Sequence, residues 1–193
     1  IELSDGSNLA SYFSPNDRVD QAMIQAVSGA KRSVRFLAFS YTHPGLEAAM
    51  AERGRAGVRI EGVVEKSQLR AGPSMYDSLR RSSGDTDIRT DVNPANMHHK
   101  AIIIDDEVVI TGSANFSRAA AGINEENTLI IRSPEVSRRY HEEFARIHGA
   151  AGGETSPPHE QAYWPLSLRE STLPMDLRRR VFAPIHCAVW LKW

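Results

Sequence analysis

The alternation of apolar and polar positions divides the chain into short strands and amphipathic helices. Val34–Ser40 is a nearly unbroken apolar run, which predicts a central strand covered on both faces. Before it, Val19, Met23 and Val27 recur four apart, the stripe of a helix that stops near Gly29. In Ser14-Pro15-Asn16-Asp17 the serine is placed to cap that helix and Asp17 to close a capping box. Leu46 and Met50, bracketed by Pro44 and the glycines at 54 and 57, mark a second helix, and Val58–Glu65 is the next strand. Ser67–Pro73 reads as loop, Ser74–Arg81 as a third helix and Thr86–Asp91 as a short strand. Ala101–Ile104 and Val108–Thr111, joined by Asp105-Asp106-Glu107, predict a tight hairpin. Thr128–Arg132 is a further strand, and Ser133-Pro134-Glu135 opens a helix whose Val136, Tyr140, Phe144 and Ile147 face a core.

Strands alternating with helices predict an α/β fold, with a parallel sheet as the economical topology. The expected division is a domain over residues 1–150 and a linker and extension over 151–193. All three tryptophans lie in the extension, where Pro165, Pro174 and Pro184 deny it a long helix.

Composition narrows the classes. With 193 residues, 41% hydrophobic and 24% charged, the chain can bury one sizeable core. No run of about 18 apolar residues predicts a membrane span. Twenty-three basic against 24 acidic residues give a net charge of −1, so any phosphate-binding surface is local rather than a property of the whole molecule. Cys187 is the sole cysteine, which excludes an intrachain disulfide. A chain that opens on Ile1 is read as a processed product.

Candidate chemistry concentrates between Met97 and Asn127. Side chains alternate along a strand, so His98 and Lys100 share one face and His99 packs behind it. Ser113 and Asn115 have the same spacing and could donate to phosphoryl oxygens, with Gly112 allowing the backbone close to a ligand. Arg118, three residues on, is placed near a substrate channel. The other basic clusters read as solvated helix faces.

The pattern His98-x-Lys100-x4-Asp105-x6-Gly112-Ser113-x-Asn115, with Glu126-Asn127 downstream, resembles the HKD motif of the phospholipase D superfamily. Tyr-Phe-Ser-Pro, Ala-Lys-Arg-Ser, Phe-Ser-Tyr-Thr and Arg-Ala-Gly-Val upstream resemble the opening of its small single-motif endonucleases, so the likeness covers roughly Asn8–Gly149. The resemblance implies a phospholipase D-like catalytic domain, an α-β-α sandwich around a mixed, largely parallel sheet. It implies His98, Lys100, Asp105, Ser113, Asn115 and Glu126 as the catalytic set, with Lys100, Ser113, Asn115 and Arg118 on the substrate. It also implies that Glu126 accepts from the second ring nitrogen of His98. Asp105 lies an odd seven residues from His98, so alternation turns it away from substrate to hold the hairpin.

One imidazole cannot serve as nucleophile and acid in the same step. The chain holds no second His-x-Lys, so two chains are expected to share one site as a homodimer, as the resemblance also implies. The expected activity is metal-independent hydrolysis of DNA or RNA phosphodiesters through a phosphohistidine, without cofactor or stable membrane association. Phospholipid headgroup hydrolysis and a catalytically silent nucleic-acid-binding module remain alternatives. So does a metal site from His98, His99, Asp105 and Asp106, which Lys100 opposes by charge repulsion. A periplasmic or secreted location is possible by resemblance.

Overall fold

A computed structural model describes residues 1–2, 6–68, 79 and 85–152. The expected third helix over Ser74–Arg81, apart from a buried Leu79, and nearly all of the 151–193 extension lie outside them. In chain order the elements are β1 (Asn8–Ser14), α1 (Val19–Ser28), β2 (Ser33–Ala38), α2 (Pro44–Arg55), β3 (Arg59–Val64) and β4 (Thr86–Thr90). They continue with β5 (Lys100–Ile104), β6 (Val108–Gly112), α3 (Arg118–Gly122), β7 (Glu126–Arg132) and α4 (Pro134–Ala150). No helix among the described residues is long and apolar enough to cross a membrane.

The seven strands form one mixed sheet ordered β1-β7-β6-β5-β2-β3-β4. Its parallel part is smaller than expected, confined to β2 with β3 and β3 with β4, while the other four pairings are antiparallel. Connection length accounts for this. A parallel return needs a crossover such as α2, whereas the three-residue turn after β5 can only send β6 back antiparallel.

Both faces are covered. Val19, Met23 and Val27 of α1 and Leu46 and Met50 of α2 bury against Phe36, Ile60, Ile102 and Ile110. On the other face Phe144 and Ile147 of α4 meet Leu37, Val63 and Ile103. The α4 stripe read from the sequence is therefore the face that packs, with Tyr140 at its margin. Ser133 caps this helix, its Oγ accepting from Val136 N–H at 3.4 Å.

The cap expected at Ser14 is not formed. β1 pairs with β7 through Ser14, whose hydroxyl donates to the Ala120 carbonyl at 2.7 Å, and α1 begins only at Val19. The longer strand takes the residue that the helix would have used, and Asp17 instead accepts from Phe13 N–H at 2.8 Å.

The β5–β6 hairpin carries Asp105 and Asp106 at φ of 55° and 59°, and Glu107 N–H donates to Ile104 O at 3.0 Å. Two successive left-handed residues match the twist of the flanking strands, and aspartate tolerates that region better than most side chains. The Asp105 carboxylate accepts from the N–H groups of Lys31, Arg32 and Ser33 at 2.8, 2.7 and 2.9 Å, tying the hairpin to the start of β2. Burial pushes its carboxyl up, but those three donors and the Arg32 charge outweigh burial and hold it below the usual aspartate value.

Candidate active site

The candidate site lies where β2 ends and β5 begins, since Ala38 pairs with Lys100. His98 sits two residues before the strand and is exposed, whereas Lys100 is only 8% exposed. The Lys100 Nζ lies 3.3 Å from both ring nitrogens of His98 and 3.1 Å from its carbonyl oxygen. A point equidistant from the two nitrogens lies across the ring rather than along either lone pair. The ammonium therefore supplies charge to the imidazole while leaving both in-plane nitrogen directions open. Among the described residues, no other hydrogen-bond partner reaches them.

Phe39, at the exit of β2, holds this pair in place. Its ring centroid is 4.5 Å from that of His98 at 57°, and Lys100 Nζ stands 5.2 Å from the same ring. Phe39 is absent from the sequence-derived site because its apolar run accounts for a strand without further use. Burial lowers the Lys100 ammonium below its usual value, partly opposed by the negative charge of Glu126.

The second half of the site is a hydrogen-bonded clasp between the end of β6 and the start of β7. Ser113 Oγ donates to Glu126 and accepts from Asn127 N–H at 3.0 Å, while Ser113 N–H donates to Asn127 Oδ1 at 3.1 Å. Gly112 is required by this clasp rather than by a ligand. At φ of 152° an added Cβ would stand 2.1 Å from the Asn127 carbonyl oxygen. Phe116, buried and edge-on to Tyr41 with centroids 6.3 Å apart, anchors the segment that follows. Asn115 Oδ1 is buried without a hydrogen-bond partner among the described residues.

Several sequence expectations change here. Glu126 accepts from Ser113 and from Asn124 Nδ2 at 3.3 Å, not from His98 of its own chain. In this single chain the Ser113 hydroxyl donates to Glu126. Asp105 is at the far end of β5, occupied by backbone N–H groups, so of the implied catalytic set it is the one set apart. Arg118 lines a groove of about 500 Å³ together with Arg18, Asp20, His43 and Gly122 among others. His43 there caps α2, its Nδ1 accepting from Leu46 N–H at 3.2 Å. Burial lowers its pKa, with Asp20 opposing and Arg118 adding to the shift.

Alternation holds for the histidines. His99 points to the other face, where its Nε2 is 3.1 Å from Glu143 of α4. Asp106 contacts Arg35 at 2.6 Å and His141 at 3.1 Å. The four residues of the alternative metal site are thus dispersed over two faces and both ends of β5.

Comparison with known proteins bears on the family and the fold. Residues 23–148 match the family described as cardiolipin synthase, PLD-like domain. The chain is 34% identical to human mitochondrial cardiolipin hydrolase over 125 residues, 65% of this chain and 49% of that protein. It is 31% identical to a phospholipase D of Rickettsia conorii over 134 residues, 69% of this chain and 66% of that one. The chain thus spans about half the length of the human protein. Nuc from Salmonella typhimurium, described as a phospholipase D family member, superposes with a TM-score of 0.68 at 26% identity, over 75% of this chain and 96% of its own. With the HKD pattern placed on this sheet and the family match extending over most of its length, the chain belongs to the phospholipase D superfamily.

Proposed function

We propose that the chain is a metal-independent phosphodiesterase in which His98 is the nucleophile and two copies of the chain complete one site. The observation that supports it most is the Lys100 ammonium set across an exposed His98 ring whose nitrogens remain open. A phosphodiester repels nucleophiles by its charge, so a fixed cation beside the attacking nitrogen lowers the barrier where charge develops.

In the first step the His98 nitrogen bonds to phosphorus as the bond to the leaving oxygen breaks. His98 of the partner subunit gives that oxygen its proton. In the second step the same imidazole takes a proton from water, and the resulting oxygen displaces His98 from phosphorus. Lys100 of each chain holds nonbridging oxygens. The exposed imidazole edge in a single chain leaves His98 available to groups across a two-fold axis.

Nucleic acid is the proposed substrate, on the resemblance of the compact single-motif layout to the family's small endonucleases. A second reading, hydrolysis of a phospholipid headgroup, is favoured by the names of the cardiolipin hydrolase and phospholipase D relatives. Incubation with plasmid, single-stranded DNA, RNA and vesicles of phosphatidylcholine or cardiolipin, all in excess chelator and beside His98→Ala, separates them. Cleavage of nucleic acid that survives chelator and is lost in His98→Ala supports the nuclease reading. Cleavage of lipid alone replaces it, and loss of all cleavage in chelator removes the metal-independent mechanism. Binding without cleavage, unchanged in His98→Ala, would mark a silent binding module.

A further inference from the structure

Glu65, immediately after β3, is wholly buried at 0% exposed, yet no ion pair reaches it among the described residues. An unpaired carboxylate is costly to bury unless its oxygens are hydrogen-bonded. Here Oε2 accepts from Met97 N–H at 2.8 Å and Oε1 from Ser67 N–H at 3.1 Å. Met97 directly precedes His98 in the chain, and its side chain is buried with Leu37 and Val63.

Beyond the buried Met97 side chain, few main-chain ties fix the segment leading to His98 among the described residues. Asp91 N–H donates to Val64 O at 2.9 Å, and the β2–β5 ladder resumes where Phe39 N–H donates to His99 O at 2.9 Å. Between those points, among the described residues, the Asn93 and Ala95 N–H groups bond to side chains of the same loop, at 3.2 and 3.0 Å. Among the described residues, Lys66 Nζ, bonded to the Asn93 carbonyl, and the Glu65–Met97 bond tie the loop to the segment after β3. Of these two, the Glu65–Met97 bond lies next to the imidazole.

We propose that Glu65 is a positioning residue: its buried carboxylate sets the height of Met97 and so places the His98 ring against Phe39 and Lys100. The expected effect on rate rests on the phosphodiesterase reading above, and the effect on ring position does not. A displacement of about 1 Å at a reacting group can cost roughly 100-fold in rate.

The test compares Glu65→Gln and Glu65→Asp with Asp91→Asn. Asp91 is another buried carboxylate of the same loop, 6% exposed, which accepts from Asn93 N–H rather than from Met97. Steady-state kinetics, thermal unfolding and the nuclear Overhauser contact between the His98 and Phe39 rings are read for each. Glu65→Gln keeps one acceptor for two N–H donors, so kcat is expected to fall about 10- to 100-fold with KM within about twofold, and the ring contact to weaken. Glu65→Asp falls between, and Asp91→Asn loses stability while keeping kcat and the ring contact. An unchanged kcat and ring contact in Glu65→Gln, or an equal loss of both in Asp91→Asn, would overturn the assignment. If Glu65→Gln does not fold, Glu65→Asp decides by the same readings. If the wild-type chain cleaves nothing, the phosphodiesterase reading fails and the ring contact alone decides the role of Glu65.

Discussion

At the turn end of β5 the Asp105 carboxylate is enclosed by three backbone N–H groups, while before the strand His98 stands exposed, with the Lys100 ammonium alone beside its ring nitrogens among the described residues. Both residues belong to one short sequence motif, and they are put to opposite uses. A side chain whose hydrogen-bonding capacity is filled by backbone holds the fold together. One whose capacity is open beside a fixed cation can do chemistry. The contrast assigns stability to the first end and rate to the second, and substitutions at each should move one quantity without the other.

The largest effect is expected at His98. His98→Ala should lower the cleavage rate by at least about 1,000-fold, as removal of a covalent nucleophile does, with the unfolding temperature little changed. A variant that keeps substantial rate would end the division between the two ends. Next, Lys100→Met should lower kcat about 100- to 1,000-fold by removing charge from the nonbridging oxygens. Equal loss of substrate affinity with kcat preserved would instead make Lys100 a binding group only.

Asp105→Ala should reverse the pattern. Leaving buried N–H donors unpaired costs about 1–3 kcal/mol each when uncompensated, so a loss of roughly 2–4 kcal/mol is expected after solvent reaches some of them. The rate per folded molecule should stay within about threefold. Chemical denaturation measures the first and active-site titration the second.

Asp105 also sharpens the comparison through pH. Its carboxyl is held below the usual aspartate value of 3.8 in the folded chain. Because the folded value is the lower one, its stabilisation is fully present above the unfolded value and is lost as pH falls toward the folded one. Asp105→Asn should therefore flatten the acid limb of the stability curve below about pH 4 and leave neutral pH dependence unchanged. The smallest effect is expected at Glu143→Gln, which removes an exposed partner of His99 behind the site. It should change stability by less than about 1 kcal/mol and rate hardly at all.

Local rules carried much of this from the sequence. The hairpin, the common face of His98 and Lys100, the turning away of His99 and Asp105 and the core stripe of α4 all follow from periods of two or 3.6 residues. What escaped depends on partners distant in sequence. Ser14 reads locally as a helix cap, and pairing with β7 takes it into a strand instead. Glu126 was legible as a site residue, but its actual partner, Ser113, is fixed by how β6 and β7 close around Gly112. Phe39 and Glu65 ended ordinary apolar runs, and only the neighbouring starts of β5 and its loop give them work at the site. Arg118 is near Asn115 in sequence, yet α3 turns it toward His43.

The central claim is that two imidazoles, one per chain, act on the same phosphorus. It is tested most directly by co-refolding wild-type and His98→Ala chains in varied proportion and measuring cleavage per total protein. If each site needs both copies, activity falls as the square of the wild-type fraction. A linear fall would show that one His98 suffices, and would contradict the shared site.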